Sequence, residues 1–320
     1  MASSDAAAVL RSDINTLVQE AASIDQMFVG LRVFPVWEVP EKDGHWPKFR
    51  LGKGELLNDD ATKRTPGGGY GRVTRIYEND NYACEDYGLE ELVDDTYRAD
   101  VRRFFAAEVT AAQQIRRQLM IAHEARVSAA VINDSTFTAT AAAVNYTEAN
   151  IATIDLVRDV VGAVGRLNDK GVIPNTIIMS KNVFNRVRRS TLLLDYLRGA
   201  RADDAKNLAS AQDIANVFNN EGITQCLVGR APKNSAKKGQ AYSATGIWAD
   251  THIWVGLVVG GDPMAGGAGR TVSWSADGGV FTSESYRDES RRSDVVRVRQ
   301  NVDEKVVDAT SGELITTNYS

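Results

Sequence analysis

The chain has 320 residues, 43% hydrophobic and 25% charged, which is ordinary for a folded protein and enough to bury a sizeable core. With 37 basic and 42 acidic residues its net charge is −5, which argues against a dedicated nucleic-acid binder but not against a wall that merely encloses DNA. The longest apolar stretch, Ile253 to Gly261, falls well short of the roughly 20 residues that span a bilayer, and Met1 to Asp5 opens without a basic or apolar leader, so no membrane role is expected.

Residues 5–28 place Val9, Leu10, Ile14, Leu17, Ala21 and Ile24 at three- and four-residue spacing and predict a short amphipathic helix, closed by Gly30 and Pro35. From there to about residue 83, Pro35, Pro40, Gly44, Pro47, Gly52, Gly54, Pro66, Gly67, Gly68, Gly69 and Gly71 break any long element. Short strands fit between them at 34–39, 46–51 and 72–77, giving an extended two-stranded excursion with a glycine-rich end and no core of its own. Residues 95–132 hold no proline or glycine. Tyr97, Val101, Phe104, Phe105, Val109, Ala112, Ile115, Leu119, Ala122 and Val127 recur there at helical spacing, and Asp94 and Asp95 stand ready to cap. One helix of that span would be on the order of 55 Å long, a backbone element for a flat or elongated subunit.

Residues 133–149, rich in Thr, Ala and Asn, read as a linker. A compact α/β stretch follows. Helices are predicted at 154–170 (with Gly171 as its stop), 182–189, 191–197 and 211–218, and strands at 176–179, 223–228, within 244–260, at 270–274 and at 294–300. The tail to Ser320 reads as strand pieces about a turn at Ser311-Gly312.

No catalytic constellation emerges. The run Pro66-Gly67-Gly68-Gly69-Tyr70-Gly71-Arg72 lacks a Gly-Lys-Ser/Thr and leads into a strand, so it reads as a turning loop rather than a phosphate cradle. His45, His123 and His252 stand alone, and Cys84 and Cys226 have no ligand spacing and read as reduced thiols. Acidic pairs such as Glu90-Glu91 and Asp94-Asp95 point in different directions from a strand or helix and read as solvated or interface charges. Arg287, Arg291, Arg292, Arg297 and Arg299, interrupted by Asp288, Glu289 and Asp294, fit inter-subunit salt bridging better than phosphate tracking. Trp248 and Trp254 read as core.

Three tracts within this order of elements carry a resemblance. They are Tyr87-Gly88-Leu89-Glu90-Glu91-Leu92-Val93-Asp94-Asp95; Val172 to Ser180 followed by Val183-Phe184-Asn185; and Val228-Gly229-Arg230-Ala231 with Asn234-Ser235-Ala236 and Ile247-Trp248-Ala249-Asp250. Together they resemble the major capsid proteins of tailed bacteriophages, whose fold herpesviruses and encapsulin nanocompartments share. The resemblance implies an α+β phage major capsid fold: an N-terminal arm (1–35), an extended β-hairpin E-loop (36–83), a peripheral domain (84–150 and 281–320) with a spine helix (95–132), and a compact α/β axial domain (151–280). It implies a structural, non-enzymatic subunit that forms hexamers and pentamers of an icosahedral head in the virion, assembled in the host bacterial cytoplasm, with no cofactor or metal.

The partners expected are other copies of the chain, a separate scaffolding protein (only about 35 residues precede the excursion, with no fused helical domain), a portal protein, packaged DNA through weak non-specific contact and, in some relatives, a decoration protein. Inter-subunit candidates are Lys53, Lys63, Arg64, Gly67, Gly68 and Gly69 in the excursion and Glu90, Glu91, Asp94 and Asp95 beyond it. Residues 48–72 hold six basic against three acidic residues, and residues 84–100 hold seven acidic against one basic, so the two tracts are complementary. Some relatives join subunits through a lysine and an asparagine, but no partner asparagine or catalytic glutamate is identified here. An encapsulin-type shell, or an α/β enzyme using 151–280, are the alternative readings.

Overall fold

One helix organises the molecule. The computed structural model describes residues 9–10, 27–48, 63, 66–70, 78–96, 104–200, 208–237 and 239–319. In it the longest helix, α2, runs Phe104–Val131, 28 residues and about 42 Å. Its buried positions come in pairs four apart: Ala111-Ala112, Ile115-Arg116, Leu119-Met120, His123-Glu124 and Val127-Ser128. A four-residue step overshoots one turn by about 40°, so the stripe drifts around the helix as it advances. The first half therefore packs Ala112, Ile115, Leu119 and Met120 on one sheet, against Val93, Phe281, Val296 and Val298. The second half packs Val127 and Val131 on another, against Phe137, Ile178, Leu227, Trp254 and Leu314.

The first sheet is built on β14 (Ser293–Val306). Along one side lies β5 (Glu85–Asp94), antiparallel over ten residues. Along the other lie β13 (Thr282–Asp288), then β12 (Gly269–Trp274), with β2 (Val36–Val39) parallel to β12. Val9–Leu10 (β1) pair with β13, so those two residues are strand and not the helix expected; the rest of that expected helix lies almost wholly outside the described residues. The pairing edge of β13 decides this pair, which local periodicity cannot register. A four-residue helix, α1 (Gly30–Val33), leads into β2.

The second sheet has the order β6-β15-β11-β7-β8, from Thr138–Ala141, Gly312–Thr316, His252–Gly256, Thr176–Ser180 and Gln225–Gly229. Ile177, Met179, Ile253, Val255 and Ile315 face one side, against α3 (Leu156–Asp169), α4 (Lys181–Val187), α5 (Thr191–Ala200) and α6 (Ala211–Val217). Ile178, Trp254 and Leu314, one residue out of phase, face α2. Truncating such a fully buried apolar side chain to alanine costs about 2–5 kcal/mol.

Three expectations change. The 133–149 linker contains β6, recruited as a parallel edge strand by β15, and Tyr146, buried with its hydroxyl donating to Asp159 at 3.0 Å. The acidic tract 85–94 and residues 282–288 are strands despite weak alternation, because β14 supplies their hydrogen bonds. The boundary at 280/281 does not follow the sheets, since β12 joins the first and β15 the second. Of the helix expected over 95–132, Asp95-Thr96 and Phe104–Val131 are helical and residues 97–103 lie outside the described residues. None of the described helices is long and apolar enough to cross a membrane.

Candidate assembly interface

The excursion is a hairpin of β3 (Asp43–Lys48) and β4 (Glu78–Ala83), in register from Asp43↔Ala83 to Lys48↔Glu78. Contrary to the sequence expectation, its root has a core. Trp46 stacks on Tyr82 with ring centroids 6.1 Å apart, Trp37 meets both edge-on at 6.0 and 5.5 Å, and Val39, Cys84 and Val272 complete the cluster. Edge-to-face aromatic pairs add about 0.5–1.5 kcal/mol beyond the area they bury. The hairpin is therefore anchored at its base, with Lys48 and Asp80 paired across it at 3.3 Å. Further out, Pro66 and Gly67 form a turn in which Gly67 has φ +81°, a left-handed angle that glycine takes without strain. A side chain at Gly67 or Gly69 would meet open space, so only the angle at Gly67 requires glycine. Lys63 is exposed and Tyr70 is 76% exposed, while Lys53 and Arg64 lie outside the described residues. Among the described residues this loop opens no helix, as a phosphate cradle would need.

Next to the hairpin, β5, β14 and β13 carry a ladder of alternating charge on the face turned away from α2. Strand register sets Glu90 opposite Arg297 and Arg297 opposite Glu284. Arg297 Nε donates to Glu90 at 2.7 Å, Tyr286 Oη donates to the same carboxylate at 3.1 Å, and Arg299 bridges Glu284 and Asp277. On the other face, opposite Asp294, Arg287 grips Asp95 through two bonds and reaches Asp294 and Glu289, and Asp95 with its neighbours holds the guanidinium above its ordinary pKa. Asp94 accepts from the hydroxyl and N–H of Thr96, which hold its carboxyl below the usual range. On the α2 side, Arg126 makes two 2.8 Å bonds to Glu304 and lies over the Tyr87 ring.

Where α1, α2 and the second sheet converge, a buried carboxylate is the common acceptor. Glu124, 1% exposed, accepts from Val29 N at 3.0 Å, Gly30 N at 2.6 Å and Trp248 Nε1 at 2.6 Å. Burial pushes its carboxyl up, and the Trp248, Val29 and Gly30 donors pull it back down. His123 beside it is buried against Thr271, and burial with the nearby Arg126 charge depresses it to about 3, so it is neutral. Arg270, 0% exposed, donates to the carbonyls of Gly261, Gly266 and Gly269 and shapes the glycine-rich loop before β12.

Compared by sequence, the chain matches no protein-family model and no curated protein. Compared by structure, it is similar over 98% of its length, and 98% of the other's, to a phage-related protein from Bordetella bronchiseptica, at 19% identity and a TM-score of 0.72. It is similar to the capsid of a cyanophage at 13% identity and a TM-score of 0.55, covering 90% of this chain and 86% of that one. The fold is that of phage major capsid proteins. A virus-like particle from Pyrococcus furiosus shares it, at 12% identity, a TM-score of 0.55 and coverage of 95% and 96%.

Of the ten candidate residues, eight are described, and the acids among them differ in their partners within one chain. Glu90 and Asp95 are engaged by Arg297 and Arg287 of the same chain, and Asp94 by Thr96. Glu91, on the opposite face of β5, is exposed and makes no ion pair among the described residues. The arginine cluster is likewise corrected: Arg287, Arg291, Arg297 and Arg299 bridge acids within one chain, because strand register sets them beside those acids. Sequence reasoning missed Glu124, Trp248 as its donor, and Arg270. One signal was present, since residues 123–124 fall on the four-residue rhythm of buried pairs in α2, where a polar pair demands partners. Cys84 and Cys226 are free thiols that burial raises to about 11 and about 12.

Proposed function

We propose that this chain is the major capsid protein of a tailed bacteriophage, a structural subunit without catalytic activity that forms the hexamers and pentamers of an icosahedral head around double-stranded DNA. The observation that carries the reading is the extent of the similarity: the likeness to the cyanophage capsid runs over 90% of this chain and 86% of that one. An extended hairpin anchored at its root by Trp37, Trp46 and Tyr82 suits a protein that closes rings through heterologous contacts. The proposed parts are an arm at 1–35, an excursion at 36–83, a peripheral unit on the first sheet and an axial unit on the second. The proposed partners are a scaffolding protein, a portal protein, packaged DNA and, where present, a decoration protein, with assembly in the bacterial cytoplasm.

The proposed inter-subunit contact sets the basic excursion, with Lys53, Lys63 and Arg64, on the acidic tract of a neighbouring copy, with the turn at Gly67-Gly68-Gly69 fitting the tip to it. Since Glu90 and Asp95 hold arginines of their own chain, Glu91 is the acid available. Electron microscopy of the full chain co-expressed with its neighbouring genes tests the reading: closed shells are expected, and compact monomers alone would overturn it. The virus-like particle supports a second reading as a shell protein, and in the encapsulin-type form of that reading the cargo is protein. Nucleic acid inside purified shells favours the head, and a single protein species inside favours the alternative.

A further inference from the structure

Between Gly222 and Ala249 the chain has no Asp or Glu and four basic residues, Arg230, Lys233, Lys237 and Lys238, in a protein whose net charge is −5. The structure gathers Arg230, Lys233 and Lys237 on one projection. Strands β9 (Pro232–Asn234) and β10 (Ala244–Gly246) form an antiparallel hairpin whose connecting loop holds Lys237 and Lys238, the latter outside the described residues.

The hairpin is built to hold its shape. Asn234 Oδ1 accepts from Ala236 N at 3.0 Å and Ser243 N at 3.1 Å; Ser235 donates to the Ser243 carbonyl at 3.1 Å, and Thr245 donates to Ser235 at 2.9 Å. Its root is fixed: Ile247 N donates to the Ala231 carbonyl at 3.1 Å, Ser128 of α2 donates to the Ile247 carbonyl at 3.2 Å, and Trp248 donates to Glu124.

Arg230, Lys233 and Lys237 are exposed, and none makes an ion pair among the described residues, whereas Arg297 and Arg299 of the first sheet are paired with acids. Such isolated cations call for an anionic partner from outside. The hairpin offers a protein partner little. Its one large side chain with an apolar body is Tyr242, 69% exposed, with no apolar centre around it. Lysine, which supplies three of the four charges, is depleted in protein interfaces, and those interfaces need a desolvated apolar core. A phosphate backbone needs only cations with hydroxyl and amide donors, and the hairpin presents these through its lysines, Arg230 and Tyr242.

We propose that the hairpin 230–246 is a contact for the phosphate backbone of double-stranded DNA, made once per subunit and without regard to base sequence. The identity of the duplex rests on the capsid reading; the charge, the exposure and the absence of internal partners do not. On an otherwise acidic subunit, four cations give a local, salt-weakened touch rather than a grip.

The test is fluorescence anisotropy of a labelled duplex titrated with the unassembled full chain across a salt series. Four phosphate contacts give a slope of log K against log salt near about −3.5, with dissociation constants in the non-specific range of roughly 10⁻⁴ to 10⁻⁶ M. Lys233→Gln with Lys237→Gln is expected to lower the slope by about 2 and weaken binding roughly ten-fold at low salt. Unchanged thermal melting shows that the variant folds. Absence of salt-dependent binding by the parent chain, or equal binding by the variant, overturns the proposal. So does a variant that binds DNA like the parent yet fails to form shells, which would make the hairpin a subunit contact. A parent chain that binds DNA in this way but never forms shells leaves the hairpin standing and removes the capsid reading.

Discussion

Replacing Glu124 with alanine removes the only acceptor shared by three buried donors, the N–H groups of Val29 and Gly30 and the indole of Trp248. Each orphaned donor costs about 1–3 kcal/mol, and the carboxylate no longer has to be desolvated, which offsets part of the loss. A net destabilisation of roughly 3–5 kcal/mol is expected, a large share of the 5–15 kcal/mol that typically holds a domain together. Trp248→Phe isolates one of the three bonds. It keeps an aromatic ring at the site but removes the indole N–H together with the fused five-membered ring that lies over Gly229, so the lost bond, about 1.5–3 kcal/mol as for a hydrogen bond to a charged group, comes with a packing loss. In the Glu124→Ala background the same change removes an already orphaned donor, so only the packing part of its cost should remain, and the difference between the two backgrounds is the bond. Urea unfolding of the four unassembled proteins, followed by circular dichroism, measures the coupling directly. Additive effects within about 0.5 kcal/mol, or a Glu124→Ala loss below about 1 kcal/mol, would refute the idea that this carboxylate ties α1, α2 and the second sheet together.

Gly30→Ala tests the same node from the other side, since a Cβ there would lie 2.7 Å from Glu124 Oε2; overpacking of about 1–3 kcal/mol is expected in the same urea assay. His123 is depressed from 6.5 to about 3, so the unfolded chain takes up its proton first as pH falls. Its contribution is complete above pH 6.5 and is lost as pH falls toward 3, with roughly 2 kcal/mol gone between pH 7 and pH 5. Urea midpoints of parent and His123→Gln across that interval should converge at pH 5, and parallel curves would refute the assignment. Lys63→Glu should reduce shell yield by sedimentation and Glu91→Lys should partly restore it, whereas reversing Glu90 should fail to rescue because it strands Arg297.

The sequence by itself determined the elements whose signal is local. The helical spacing of apolar residues over 104–131, uninterrupted by glycine or proline, marks a long helix, Gly171 closes α3 with φ +78°, and the apolar run at 177–179 lies in a strand buried on both faces. Those rhythms depend on neighbours a few residues away, so they survive in one dimension. The tertiary structure decided everything that needs a distant partner. Val9–Leu10, 85–94 and 138–141 are strands because β13, β14 and β15 present free edges to them. Glu90 and Asp95 were legible as charged but not as engaged, because Arg297 and Arg287 lie about two hundred positions away and only strand register sets them alongside. Glu124 carried the least local signal of all. A glutamate on a helix reads as solvated until the fold closes α1 and Trp248 over it, and a carboxylate becomes a pin only once water has been replaced by three N–H groups.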